Sequence, residues 1–453
     1  MVRFLESLNK IVWGGPTLIL LLGAGLYLTI RTGFAQFRLL PRALAETGRK
    51  FFCRQDSKTS MSSRRALCTA LAATVGTGNL AGVAGAIAIG GPGVLFWMWV
   101  CALGGMILKF SEAVLSVRFR DKNFAGEAVG GPMYMIQNGL GHKLRFLAYI
   151  YCFFGIVAAL GVGNATQINT LVGSVNQLVI TGGGNPSALG NTVIGCVVAV
   201  VVGMVFLGGA KRVGAATEKV IPFVSVVYVL LCVGALIMRR AAIANAFKMI
   251  LCGVLDPAAV TGGVVVTVFR VVSVGVSRGV FTNEAGMGTA GIAHGAADVR
   301  HPVQQGLMGI IEVFLDTIVI CTLTGLVILC SGINVPYGID SGIGVTLNAF
   351  SSVYGDGVCV VLALCVCFFA FATVLGWGLY GGRCAQYLFG ERAWRSFAVL
   401  QLFTVILGAV MKTHIVWLCS EIVNGLMAVP SLIAILGLSR HLNPLIRQYK
   451  QIS

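Results

Sequence analysis

Charge is scarce in this chain: Asp, Glu, Lys and Arg make up 11% of its 453 residues, less than half the roughly 25% of an average soluble domain. A chain so poor in charge cannot clothe a water-exposed surface, which excludes a cytosolic enzyme. Proline is limited to 11 residues, and the 60 glycines show no period of three, so a collagen-like repeat is excluded as well. Metal and disulfide spacings are missing. The 14 cysteines stand singly, mostly inside apolar tracts (Cys152, Cys196, Cys232, Cys321, Cys365), and read as small buried hydrophobes. Cys365 and Cys367 form a C-x-C inside such a tract, without the spacing of a zinc site. There is no Walker motif, no C-x-x-C-H and no H-E-x-x-H, which argues against an ATP-driven pump, a haem enzyme and a membrane zinc protease. No prosthetic cofactor is expected, and neither nucleotide nor nucleic acid.

Apolar length is what the chain has in abundance. Hydrophobic residues make up 57% of it and mean hydropathy is +0.89, with tracts that reach the about 20 residues a helix needs to cross a bilayer. They run at 12–30, 66–90, 94–117, 144–163, 190–208, 219–238, 257–277, 305–331, 357–382, 397–412 and 415–438. The sequence therefore predicts an all-α polytopic membrane protein with eleven transmembrane helices. IRTGFAQFRLLPR follows the first tract in place of a small-residue cleavage site, so that tract is expected to be a retained span and not a signal peptide.

The net charge of +17 would suggest nucleic acid in a soluble chain; in a membrane protein it reports which loops face the cytoplasm. The connection from Arg31 to Arg65 carries nine basic residues against Glu46 and Asp56, whereas residues 163–191 carry no charge. These segments belong on opposite sides. With the first inside, Arg118, Arg120, Lys122, Lys143, Arg145, Lys211, Lys219, Arg300, Arg392, Arg395, Arg440, Arg447 and Lys450 also fall inside, and the loop with Asp340 and Asp356 falls outside. Arg239, Arg240 and Lys248 break the pattern, as a local amphipathic segment would. The N-terminus is expected outside and the C-terminus inside.

Setting the first span aside leaves five plus five, and an odd number per half inverts the second half relative to the first. The expected organisation is an extra helix in 1–35, a basic cytoplasmic connection in 36–65, a five-helix repeat in 66–240, an inverted repeat in 241–438 and a tail in 439–453. Inverted-repeat transporters interrupt the first helix of each half near the midplane. The second tract, LCTALAATVGTGNLAGVAGAIAIGG, clusters glycine and threonine at residues 74–79; the seventh, AAVTGGVVVTVF, does so at 261–263.

A helix end inside a bilayer leaves amides and carbonyls unpaired unless a polar group or a ligand satisfies them. Gly76 and Gly78 free the backbone from helical geometry and expose amides that suit a carboxylate. Thr74, Thr77 and Asn79 add oxygens, and carbonyls near Thr74 suit Na+, which accepts neutral oxygens. Close helix packing is the other reading of such glycines; it weighs more on Thr261, Gly262 and Gly263, which serve as a second hinge or as a packing surface. Gln167, in GVGNATQINT, is a pocket amide or an interfacial cap. Thr373 and Trp377 lie at i and i+4 on one helical face: the hydroxyl suits a cation or amine, the indole an apolar wall. Glu112, Glu312 and Asp316 lie inside spans, where ionisable groups are costly. They bind protons or cations, or they pair with Lys109 or Arg270 to hold helices together. GVFTNEAGMGTAGIAHGAADVRHP has no phosphate-loop spacing and is expected to be a packed cytoplasmic segment, or gate, after the seventh span.

Several longer stretches carry a resemblance: TALAATVGTGNLAGVAGAIAIGGPGVLFWMWV (69–100), GEAVGGPMYMI (126–136), RGVFTNEAGMGTAGIAH (278–294), DTIVICTLTGLVI (316–328), GWGLYGGRCAQYLFG (376–390) and NGLMAVPSLIAIL (424–436). Across nearly its whole length the chain resembles the alanine or glycine:cation symporters, also called sodium:alanine symporters. The resemblance implies eleven spans in a leucine-transporter-like five-plus-five inverted repeat, preceded by one extra helix. It further implies import of L-alanine, glycine or D-alanine with Na+ as coupling ion, in a bacterial inner membrane, by a chain acting as a monomer in the lipid bilayer. On matching positions it implies that residues 74–79 contact substrate and give carbonyls to Na+. Gln167 then lines the pocket, and Thr373 and Trp377 match the family's F-A-F-x-T-x-x-G-W. The sequence departs from the family at Gly291 and Gly295, at Arg270 in an otherwise apolar run, and at Leu379 and Gly382. A proton-coupled amino acid carrier and a transporter-like amino acid sensor without flux are the alternative readings.

Overall fold

The computed structural model of the chain describes residues 2–52, 61–123, 126–265, 267–339 and 342–452. Asp56 and Asp340 of the charge pattern lie outside the described residues. The chain is almost wholly helical: α1 (Val2–Val12), α2 (Gly15–Arg31), α3 (Leu40–Phe52), α4 (Ser63–Thr74), α5 (Ala81–Gly90), α6 (Val94–Arg118), α7 (Arg145–Leu160), α8 (Thr166–Thr181), α9 (Ala188–Phe206) and α10 (Gly209–Met238). Then come α11 (Ile243–Leu255), α12 (Val268–Asn283), α13 (Thr289–Gly295), α14 (Val303–Val313), α15 (Thr322–Cys330), α16 (Ile343–Tyr354), α17 (Val358–Phe389), α18 (Ala393–Val410), α19 (Thr413–Leu438) and α20 (Leu442–Ile452). The described residues also hold a hairpin of two-residue strands, Asp121–Lys122 against Ala128–Val129, and an isolated bridge between Met61 and Ala297.

Nine helices among the described residues are long and apolar enough to cross a membrane, or ten when the bent pair Ser63–Thr74 and Thr77–Gly90 counts as one span; its halves meet at 50°. The outer helices show why such lengths are stable in lipid. On α10, Phe223, Leu230 and Ile237 recur every seven residues and are exposed, while Tyr228, Cys232 and Ala235 face inward. Lipid accepts that apolar stripe, and the helix satisfies its own backbone. At the centre, α4, α5 and α13 and the second half of α12 are buried on nearly every face. Small residues allow the contact: a Cβ on Gly309 of α14 would stand 2.9 Å from the Lys109 carbonyl of α6, so only glycine lets these two backbones meet.

One expectation is corrected. The tract at 257–277 is not one helix: Pro257–Thr261 is a short helical turn, Gly262 (φ 62°) and Gly263 (φ 85°) reverse the chain, and α12 starts only at Val268. The segment expected to pack after the seventh span is buried in the bundle. α12 runs to Asn283, the chain breaks through Glu284 (φ 54°), Gly286 (φ 87°) and Gly288 (φ 79°), and α13 follows. Arg278, Thr282, Asn283 and Glu284 lower the hydropathy of a stretch that is nonetheless enclosed. With 16 and 7 residues, α12 and α13 are each shorter than a full span.

Candidate functional site

The α4–α5 break begins where Val75 leaves the helix (φ −81°, ψ 92°) and Gly76 extends (φ −141°, ψ −156°); residues 77–79 then make one 3-10 turn. Neighbouring side chains close the groups this leaves open. Asn79 Oδ1 accepts the Gly76 amide (2.9 Å), Gln167 Oε1 accepts both the Thr77 amide (3.3 Å) and hydroxyl (2.8 Å), and Thr346 of α16 donates to the Leu80 carbonyl (3.0 Å). Gln167 reaches the break because a π-helical turn, Gly161–Ala165, joins α7 to α8; its Nε2 donates to the Val162 carbonyl at 3.0 Å. All of these groups are buried.

Thr373 differs: its hydroxyl is buried and has no hydrogen-bond partner. A Cβ on Gly76 would stand 2.5 Å from that hydroxyl and 3.3 Å from Gln167 Oε1, and one on Gly376 would stand 3.0 Å from the Ala73 nitrogen. Two glycines thus bring α17 against the end of α4, with a free oxygen facing bare backbone. Trp377, one turn on, is buried against Gly163 in the π turn and lies edge-on to Tyr380 (ring centroids 5.8 Å apart). Gly78 faces Phe281 and Thr282 of α12, and Phe281 stacks on Trp417 at 5.0 Å.

The structure therefore gathers Gly76, Thr77, Gly78, Asn79, Gln167 and Thr373 around one break, with Trp377 beside it. Thr74 is there through its backbone, since its hydroxyl donates to the Ala70 carbonyl (3.2 Å). Thr261, Gly262 and Gly263 are not there. Thr261 packs against Gly91 beyond the far end of α5, its hydroxyl bonded to Pro257 and Val265, and the two glycines are exposed.

What faces the first break instead is the second one, at residues 283–289. Asn79 Nδ2 donates to Asp316 Oδ1 (2.6 Å), Thr317 donates to Asp316 Oδ2 (2.7 Å), and Asn283 donates to Thr317 (3.1 Å). Asp316 sits in a π-helical stretch, Phe314–Cys321, between α14 and α15. Glu112 Oε1 accepts the Gly286 amide at 2.6 Å, and Thr289 donates to Glu284 at 2.6 Å. Lys109 pairs with Glu312 (2.8 Å), whose other oxygen meets His294 (3.2 Å); His294 bonds Gln305 at 2.7 Å, and Gln305 donates to Ser63. Glu312 thus has the Lys109 partner; Asp316 is held by neutral groups and Arg270 is exposed. Asn283, Glu284, His294 and the second break escaped the sequence reading. Their signal was present, since Gly286-Met287-Gly288 repeats the G-x-G of Gly76-Thr77-Gly78. Among the described residues, no group of three or more His, Cys, Asp and Glu is arranged to hold a metal ion.

Outside the spans, Glu127 joins the hairpin to Arg383 of α17 (3.4 Å) and Lys211 of α10 (3.4 Å). Burial pushes its carboxyl up, but the charge and hydrogen bond of Arg383, with Asn123 and Lys211, outweigh this and hold it below the usual carboxylate range.

The sequence model described as the sodium:alanine symporter family matches residues 1–453. An uncharacterized transporter of Haemophilus influenzae is 42% identical over 96% of this chain and 93% of its own length. The sodium/alanine symporter AgcS of Methanococcus maripaludis is 40% identical over 97% of this chain and 95% of its own. Among solved structures, MhsT in complex with L-phenylalanine superposes with a TM-score of 0.57 over 86% of this chain and 98% of its own, at 13% identity, so the likeness is one of fold.

Proposed function

The chain belongs to the sodium:alanine symporter family, and on that premise we propose that it imports a small neutral amino acid, alanine or glycine, in symport with Na+. The observation that carries this is the neutral closure of the first break: amides and a hydroxyl held by two side-chain amides, beside a buried hydroxyl without a partner. A substrate carboxylate takes the place of Gln167 Oε1 on the Thr77 amide and hydroxyl, where the α5 helix dipole favours it. Na+ sits between the carbonyls at the end of α4, near Thr74, and Thr373 Oγ1. Phe281 and Trp377 wall the space, which suits a methyl group or a hydrogen as the side chain. Zwitterion and cation together add a single charge, so the membrane potential contributes about 2.3 kcal/mol per 100 mV to uptake.

The two breaks support an eleven-span, five-plus-five inverted arrangement in which α4–α5 and α12–α13 are the initial helices of the two halves. The basic connections support an inner-membrane location with the N-terminus outside and the C-terminus inside. The test is uptake of radiolabelled L-alanine by proteoliposomes under an inward Na+ gradient, with choline as the control ion and unlabelled glycine, serine and D-alanine as competitors. Accumulation that needs Na+ is expected; uptake indifferent to Na+ overturns the coupling, and its absence overturns the substrate.

A further inference from the structure

Two hydrogen-bond chains run inward from the breaks, each starting at a backbone amide. From the first break, the Gly76 amide donates to Asn79 Oδ1 (2.9 Å), and Asn79 Nδ2 donates to Asp316 Oδ1 (2.6 Å). From the second, the Ala285 amide donates to Asn283 Oδ1 (3.0 Å), Asn283 Nδ2 to the Thr317 hydroxyl (3.1 Å), and that hydroxyl to Asp316 Oδ2 (2.7 Å). Every member is buried. The sense of each chain is set at its start, because a backbone N–H can only donate: Asn79 and Asn283 each turn the carbonyl end of the side chain to the backbone and the NH2 end onward. Both chains therefore arrive at residue 316 as donors, and the group there has to accept on each of its two ends. A carboxylate does so, whereas an asparagine amide carries a donor at one end. A carboxylate held by neutral donors alone is costly inside a bundle, and an amide of the same shape would avoid that cost. Two incoming donors explain why the residue is an acid.

We propose that Asp316 is a positioning residue: its two carboxylate oxygens end both chains and hold the two breaks in register, Asn79 turned to Gly76 and Asn283 turned to Ala285. Asp316 is not itself placed against the amino acid or Na+. It acts through Asn79, whose oxygen holds the Gly76 amide and so sets the turn that presents the Thr77 amide and hydroxyl. The π-helical stretch Phe314–Cys321 carries both Asp316 and its neighbour Thr317, which lets one short segment receive a chain from each side. The effect of Asp316 on the ligand site rests on the alanine reading above, whereas the positioning of the two breaks does not.

The test is hydrogen–deuterium exchange by mass spectrometry on the full-length protein in detergent without amino acid, read in peptides covering residues 74–80 and 283–289. Asp316→Ala should speed exchange at least about threefold in both peptides, since each loses the end of its chain. Thr317→Val breaks only the second chain and should speed exchange only in 283–289, and Asn79→Ala only in 74–80. Asp316→Ala that alters its own stretch alone, or Thr317→Val that alters both peptides equally, overturns the proposal. Exchanging the pair, Asn79→Asp with Asp316→Asn, moves the acceptor-only end one place along the chain and keeps every bond and the charge. It should return both peptides toward wild-type exchange, whereas Asn79→Asp with Asp316→Ala should not; an exchanged pair as fast as Asp316→Ala overturns the proposal. If Asp316→Ala does not fold, the exchanged pair and the two single-chain variants still decide, and unchanged exchange in both single-chain variants overturns it. Measured separately, L-alanine affinity of folded Asp316→Ala should fall by about tenfold or more, and wild-type affinity there removes Asp316 from the positioning of the ligand site. A wild-type protein that binds no alanine counts against the transport reading and leaves the exchange pattern to be judged by itself.

Discussion

The two breaks are built to one plan and closed by opposite chemistry. Each sets a G-x-G between two half-helices, and in each a side chain from a neighbouring helix accepts an amide that the break exposes. Around Gly76 the closing groups are neutral: Gln167 and the break's own Asn79 accept amides, and Thr346 donates to the Leu80 carbonyl. Around Gly286 they are carboxyls: Glu112 accepts the Gly286 amide and the break's own Glu284 accepts the Thr289 hydroxyl, with Lys109, Glu312 and His294 nearby. A neutral closure can be exchanged for a zwitterion and a cation at little electrostatic cost. A charged closure is costlier to open, since separating a buried charge from its partner leaves it uncompensated. The first break therefore suits a ligand site better than the second.

The sharpest way to break this contrast is at the charged closure. Lys109→Met leaves Glu312 buried beside only His294, and removing one partner of a buried pair costs roughly 3–5 kcal/mol. The variant should lose most of its folded yield, or melt far lower, in a fluorescence size-exclusion assay, while the pair replacement Lys109→Met with Glu312→Leu should recover a large share. A wild-type melt for Lys109→Met would mean that the pair carries no structural load.

At the neutral break the effect should fall on ligand and not on fold. Gly76→Ala puts a Cβ 2.5 Å from Thr373 Oγ1 and 3.3 Å from Gln167 Oε1, so L-alanine affinity should fall more than about tenfold, equivalent to 1.4 kcal/mol, with membrane insertion intact. Thr373→Val removes a hydroxyl that has no partner. Its melting temperature should stay or rise, while the Na+ concentration for half-maximal uptake should increase severalfold. An unchanged Na+ dependence would remove Thr373 from the cation site.

The smallest effect is expected away from both breaks. Glu127→Gln loses part-exposed ion pairs to Arg383 and Lys211, worth about 1 kcal/mol or less after solvent screening. Because those pairs depress the Glu127 carboxyl, their share of stability is complete above about pH 4.3 and is lost as pH falls through the lower folded value. The variant's deficit in chemical denaturation should therefore shrink on strong acidification and with added salt.

Much of the bundle was legible in the chain because spans in lipid must be long, apolar and internally bonded. The first break was legible too: GTGN lies within a strongly apolar tract, where glycine beside threonine and asparagine stands out. Gln167 and Thr373 were visible as polar residues in apolar surroundings. The second break was not. Arg278, Asn283 and Glu284 drop the hydropathy of its helix below that of a span, while the apolar residues 257–265 mimic the start of one. Burial there comes from α6, whose Gly105 faces Ala285 and Asn283, a long-range contact that no local window reports. Nor could spacing show that Asn79 bonds Asp316, 237 residues away, or that Glu112 leaves one oxygen unpaired. α16 was missed for a similar reason, since it covers the first break instead of crossing the membrane.

If the neutral break holds amino acid and Na+ together, the two must bind cooperatively. The decisive measurement is equilibrium binding of radiolabelled L-alanine to the purified full-length protein, titrated with Na+ at constant ionic strength in wild type and Thr373→Val. The prediction is that alanine affinity rises with Na+ in the wild type, and that in Thr373→Val the same rise is displaced to higher Na+. Alanine binding that is equally tight in choline, or Na+ curves that superimpose for the two proteins, would contradict it.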